Sequence, residues 1–181
     1  MKTKITKWIL VFMTLSLVAL TGCSKNNDGE NVKTKTFTSK NERYSITIPD
    51  IKGGWTVAET NNDDHLVIDN PDRSFTILVQ AYPLSTAIYT CPDFDSFVTY
   101  YQEMVLSSLG DPTPEELSLD WAVNAKAEFY SVTYNNTVSK NYIAYIETKN
   151  AYYTYVLTGL SEQYDENIDA QIEAISTLEE H

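Results

Sequence analysis

Arg43-Tyr44-Ser45-Ile46-Thr47-Ile48-Pro49 is the stretch on which the fold turns. Tyr44, Ile46 and Ile48 alternate with polar residues, the period of two that places successive side chains on opposite faces of a half-buried strand. Pro49 ends the run because it has no N–H to offer a ladder. Gly53-Gly54 then makes a turn into Trp55-Thr56-Val57-Ala58-Glu59, and Asn61 to Asp64 makes another into His65-Leu66-Val67-Ile68. Asn70-Pro71-Asp72 turns once more before an apolar strand from Ser74 to Tyr82. Short strands joined by tight turns pair antiparallel.

The period changes after Cys91-Pro92. Asp93 is placed to cap a helix and Asp95 to complement its dipole, and Phe94, Phe97, Val98, Tyr101, Val105 and Leu109 draw one apolar stripe. Gly110 and Pro112 stop it. Strands are then predicted over Leu117 to Val123, Ala125 to Tyr134, Ser139 to Thr148 and Tyr152 to Leu160, all rich in Val, Ile, Thr and Tyr. A last helix opens at Ser161 and carries Tyr164, Ile168, Ile172 and Ile175 on one side, with Leu178 near its end. Strand runs with one helix between and one after predict an α+β domain: a single antiparallel sheet of six to eight strands flanked by two α-helices.

Upstream of the strand, Ser24 to Lys40 has Phe37 as its only large apolar residue, and the reading is a flexible tether over residues 23–40 ahead of a domain over 41–181. Before that, Lys2, Lys4 and Lys7 precede an uncharged run from Trp8 to Leu20, the basic-then-apolar order of a signal peptide over residues 1–22. That run is shorter than the ~20 residues a membrane span needs. Leu20-Thr21-Gly22-Cys23 resembles the lipobox of bacterial lipoproteins. The resemblance implies cleavage before Cys23, acylation of its thiol, and a bilayer as the first partner. Two or more acyl chains anchor stably where one holds only marginally. The expected address is the extracytoplasmic side of a cell membrane, or the outer membrane in a two-membrane bacterium.

A second resemblance rests on Tyr44 to Pro49 followed by Gly53-Gly54-Trp55, and on the aromatic hairpin Tyr142 to Leu160 leading through Ser161 into a closing helix. This order is similar to that of PsbP-like and Mog1-like domains and covers Tyr44 to Leu178 in elements more than in identities. It implies one antiparallel sheet with helices on its faces, and a class of non-enzymatic binding or assembly modules. The fold carries no ligand with it.

Charge narrows the partners. Removing residues 1–22 takes three lysines and no acid, so 13 basic residues become ten against 25 acidic ones and the formal charge moves from −12 to −15. Such a chain repels phosphate backbones, which argues against nucleic acid. Beyond Cys23 only Cys91 remains, and one thiol makes no internal disulfide.

Residues able to carry chemistry are few. His65 is the one histidine inside the predicted fold, so a small hydrolase, the alternative reading, has to use it as base for Cys91 or a serine. No Gly-x-Ser-x-Gly elbow accompanies it. Cys91, just before a helix, is placed where a dipole lowers a thiol pKa, yet a lone Cys is more often a small apolar residue. Asp63, Asp64, Asp69 and Asp72 lack the spacing of a calcium loop, and there is no phosphate loop, so no metal or cofactor is expected. Glu115-Glu116 and Asp165-Glu166 read as ordinary surface acids. The tyrosines remain. Alternation sets Tyr153 and Tyr155 on one face and Tyr152 on the other, either as strand-compatible core or, where a helix leaves them uncovered, as rings that stack on a glycan or peptide. The favoured function is thus a membrane-anchored, non-catalytic module for an unknown protein, peptide or glycan, with Tyr153 and Tyr155 as candidate ligand contacts. A further possibility is an inhibitor offering its acidic surface to a basic target.

Overall fold

The computed structural model describes residues 33–71, 74–134 and 136–181. The signal peptide, Cys23 and the tether as far as residue 32 lie outside the described residues, as do Asp72 and Asn135. Among the described residues no helix is long and apolar enough to cross a membrane.

The predicted opening strand is β2 (Tyr44–Pro49), and its buried residues include Tyr44, Ile46 and Ile48. Its partner is β1 (Thr34–Thr38), in antiparallel register from Thr34 opposite Pro49 to Thr38 opposite Ser45. The expected tether therefore gives way to folded chain from about Thr34. One apolar residue in a threonine-rich strand is too little signal to see in sequence. It suffices because Phe37 is buried and the Thr36 and Thr47 hydroxyls meet at 2.7 Å. With β10 (Glu179–Glu180), these two form a three-stranded sheet that the expectation of a single sheet did not contain.

The main sheet has seven antiparallel strands: β3 (Thr56–Ala58), β4 (His65–Asp69), β5 (Phe75–Pro83), β6 (Thr113–Glu115), β7 (Asn124–Tyr134), β8 (Thr137–Glu147) and β9 (Ala151–Leu160). Their order is β3-β4-β5-β9-β8-β7-β6. The α+β antiparallel architecture stands as predicted. Leu117 to Val123 is not a strand. Leu117 and Leu119 instead turn toward the core, and Ala122 N–H closes on the Leu119 carbonyl.

Each face of the sheet has its own cover. On one face Ile77, Val79, Ala144, Ile146, Tyr155 and Leu157 form the larger core with β2 and with α3 (Ser161–Glu173), whose Tyr164, Ile168 and Ile172 face inward as predicted. A 3₁₀ turn (Ala174–Thr177) follows and buries Ile175. On the other face Tyr82, Ile143, Tyr145 and Tyr152 meet α2 (Phe94–Tyr101), after a single-turn α1 (Leu84–Ala87) too short to show a period. Asp93 caps α2 as its position predicts, accepting from Ser96 N–H at 2.8 Å. The predicted stripe slips after Tyr101, because Gln102–Leu106 is π-helical. The wider turn rotates Val105 outward and puts Leu106 in the core.

Candidate functional site

The structure settles the tyrosine alternatives by burial. Tyr153 and Tyr155 are each 2% exposed, so neither ring offers a stacking surface, and the candidate ligand contacts are core residues. Their hydroxyls find partners inside: Tyr153 donates to Glu180 Oε1 at 3.0 Å and Tyr155 to the Gln171 carbonyl at 3.0 Å. The reason is coverage. Alternation does place the two rings on one face, but α3 and the small sheet close that face.

Among the described residues no hydrogen bond joins His65 to Cys91 or to a serine. The His65 ring is bonded to Asn62 at 3.0 Å and approached by Gln80 Nε2 at 3.4 Å, and burial lowers its pKa against the opposing pull of Asp64. Cys91 is buried, and burial, with the Asp93 charge, raises its thiol pKa, the reverse of what a nucleophile at a helix start needs. The acidic turn is taken up in pairing: Asp63 with Lys40 at 2.7 Å, Asp64 with Arg43 at 3.3 Å, and Asp69 accepting from Thr76 at 2.7 Å.

One open region lies at one end of the main sheet. Strand register puts the end of β5 (Pro83), the start of β9 (Ala151), the end of β8 (Glu147) and the start of β7 (Asn124) together. The chain segments that leave and enter there carry Ile88, Tyr89, Trp121 and Val123, all exposed, with Tyr89 at 85% and Trp121 at 38%. A cleft of about 580 Å³ lies between the start of α2 and these strand ends, with Asp93, Phe94 and Asp95 on one wall and Val123, Asn124 and Glu147 on the other. A second, of about 710 Å³, lies along the outer edge of β7 against Pro114 to Ser118. Ala125 and Lys126 line both. Lys126 Nζ sits 2.6 Å from Asp95 Oδ1 and 5.8 Å from the Phe94 ring centre. Behind them, Glu128 is held by the Tyr130 and Tyr145 hydroxyls at 3.0 and 3.1 Å and by the amide of Gln102, the first π-helical residue.

Sequence reasoning missed Tyr89 and Trp121. Tyr89 lies outside every element the sequence predicts, which was a usable signal, but Trp121 falls inside the expected strand Leu117 to Val123 and became an uncovered ring only because that strand does not form. Neither ring lines a cleft, but Val123, two residues after Trp121, does, and exposed rings of this kind can stack on a ligand.

No family model matches the chain, and no curated protein does. Among solved structures, the yeast Saccharomyces cerevisiae Ran-binding protein Mog1p superposes with a TM-score of 0.53 at 9% identity, over 82% of this chain and 96% of that one. The fold is Mog1-like. A Bacteroides thetaiotaomicron protein shares it at TM-score 0.54 and 17% identity, over 81% of this chain. This chain spans only about half of that one, 48%. The cyanobacterial PsbP of Synechocystis gives a TM-score of 0.42 at 13% identity, over 90% of this chain and 99% of that one, and adds no weight. At such identities the Mog1-like likeness is one of fold alone.

Proposed function

We propose that this protein is a lipid-anchored, extracytoplasmic, non-catalytic binding module whose binding surface is the open end of the sheet around Tyr89 and Trp121. The observation that carries the reading is the placement of that end. β1 enters the fold at Thr34, opposite Pro49, the last residue of β2, whose first residue, Tyr44, donates its hydroxyl to the Asp64 and Val79 carbonyls. Through Trp55, which donates to the Pro49 carbonyl and packs on Phe75, the entry at Thr34 is placed at the Phe75 end of β5, and the open end is at Pro83. The lipobox resemblance supplies the anchor, and the partners of His65 and the raised thiol of Cys91 favour binding over hydrolysis.

Two measurements test this. Wild-type protein is expected in the membrane fraction and Cys23→Ser protein in the soluble one; unchanged fractionation removes the anchor. The full chain in detergent, screened against cell-wall glycans and envelope peptides, should show a ligand-induced rise in thermal midpoint that Trp121→Ala abolishes. A ligand at 100 times its dissociation constant adds about 2.7 kcal/mol, ample for such a readout. A shift that survives both Tyr89→Ala and Trp121→Ala moves the site elsewhere.

A further inference from the structure

We infer that the surface where the two clefts meet receives an extended, lysine- or arginine-bearing segment of a partner protein, laid along the free edge of β7. This rests on the open-end reading above and gives that surface a ligand class.

The edge comes first. β7 has eleven residues, but β6 pairs only with Ala127 to Phe129. Among the described residues no strand pairs that side of β7 at Asn124 to Lys126, because the chain after Glu115 leaves the sheet. An edge with unpaired N–H and C=O groups is a template for an added strand. The neighbouring cleft, about 710 Å³, gives such a strand room.

Charge then selects the occupant. The two clefts are lined by Asp93, Asp95 and Glu147 on one side of Lys126 and by Glu115, Glu116 and Glu128 on the other. Lys126 is the sole cation among the lining residues, and its charge is already matched by Asp95 at 2.6 Å. The surplus is negative and clustered, on a chain already at −12 overall. Acidic or phosphate-bearing partners are repelled and cationic ones are steered in. The exposed side chain of Val123, which lines the first cleft, suits the aliphatic stem of a lysine or arginine. Nearby, the Tyr142 hydroxyl is buried without a hydrogen-bond partner, close enough to Glu115 for that carboxylate to raise its pKa alongside burial, to about 12. A buried donor left unpaired is uncommon.

The test uses full-length protein in non-ionic detergent and a fluorescein-labelled peptide of alternating lysine and valine, with an alternating glutamate and valine peptide as control. Fluorescence anisotropy should rise with the first and stay flat with the second, and the affinity should fall as salt is raised. The double variant Glu115→Lys/Glu116→Lys should weaken binding about tenfold at low salt, while Asp169→Lys on α3 leaves it unchanged. All these positions are exposed, so thermal midpoints should match the wild type. Equal losses from Asp169→Lys and the double variant mean diffuse attraction and overturn the site. If the lysine peptide fails to bind while the glycan and envelope-peptide screen still gives a Trp121-dependent shift, the ligand class is wrong and the open-end reading stands. If neither responds, both fall.

Discussion

Trp55 and Trp121 sit at opposite ends of the same sheet and lead opposite lives. Trp55 is 6% exposed, its ring 6.0 Å from Phe75, its indole N–H donating to the Pro49 carbonyl at 2.9 Å. Trp121 is 38% exposed, outside any strand or helix, beside the exposed Val123. At the first end the chain folds over itself: Phe75 packs on Tyr164 of α3 as well as on Trp55, and Gly159 leaves just enough room, since a Cβ there would lie 2.8 Å from the Phe75 ring. At the second end β10 reaches the β8–β9 turn through Glu180, but Trp121 and Tyr89 stay exposed. A ring's role is set by what closes over it, so composition alone cannot sort structural aromatics from binding ones.

The contrast is sharpest if the sealed end is cut. Trp55→Ala removes a packed ring and a part-buried hydrogen bond, and should cost about 3–5 kcal/mol of unfolding free energy in urea titration while leaving any Trp121-dependent ligand shift in place below the transition. Loss of ligand response at equal foldedness would mean the two ends are coupled.

Alkaline pH probes the sealed regions next. Burial raises the phenol pKa values of Tyr44, Tyr145, Tyr153 and Tyr155. Tyr142 is pushed up to about 12. A pKa higher in the folded state than in the unfolded chain gives stability that is whole below pH ~10 and is lost as pH climbs toward the folded value. Each such tyrosine should remove about 1.4 kcal/mol per pH unit above 10, followed as midpoint denaturant concentration. Tyr155→Phe ought to flatten that profile.

The smallest effect belongs to the open end. Trp121→Ala and Tyr89→Ala should each change stability by no more than ~0.5 kcal/mol, since neither empties a core. A loss above 2 kcal/mol would show that the ring is packed in solution and would erase the distinction between the two ends.

Much of the framework was legible in the residues because local rules acted without competition. The alternation in β2, the Asp93 cap, the apolar stripe of α3 and the division of Tyr152 from Tyr153 and Tyr155 all follow from backbone period and side-chain chemistry, which the sequence carries directly. Where a tertiary partner chose between local options, reading failed. Thr34 to Thr38 became a strand because β2 offered its free edge, and Leu117 to Val123 did not because two leucines gained more by turning toward the core. Val105 and Leu106 exchanged places once the helix widened by one residue.

By itself, then, the sequence determined the class of fold, the strand and helix periods, the acidic charge and the poverty of catalytic groups, since each is a property of residues and their spacing. Which faces and ends are covered was decided only in three dimensions. Coverage depends on elements far apart in the chain, as when Glu180 accepts from Tyr153, Thr148 and Asn150, 27 to 32 residues upstream, and Thr177 bonds Thr47 across 130 residues. That is why Tyr153 and Tyr155 became core, and why the open surface fell to Tyr89 and Trp121.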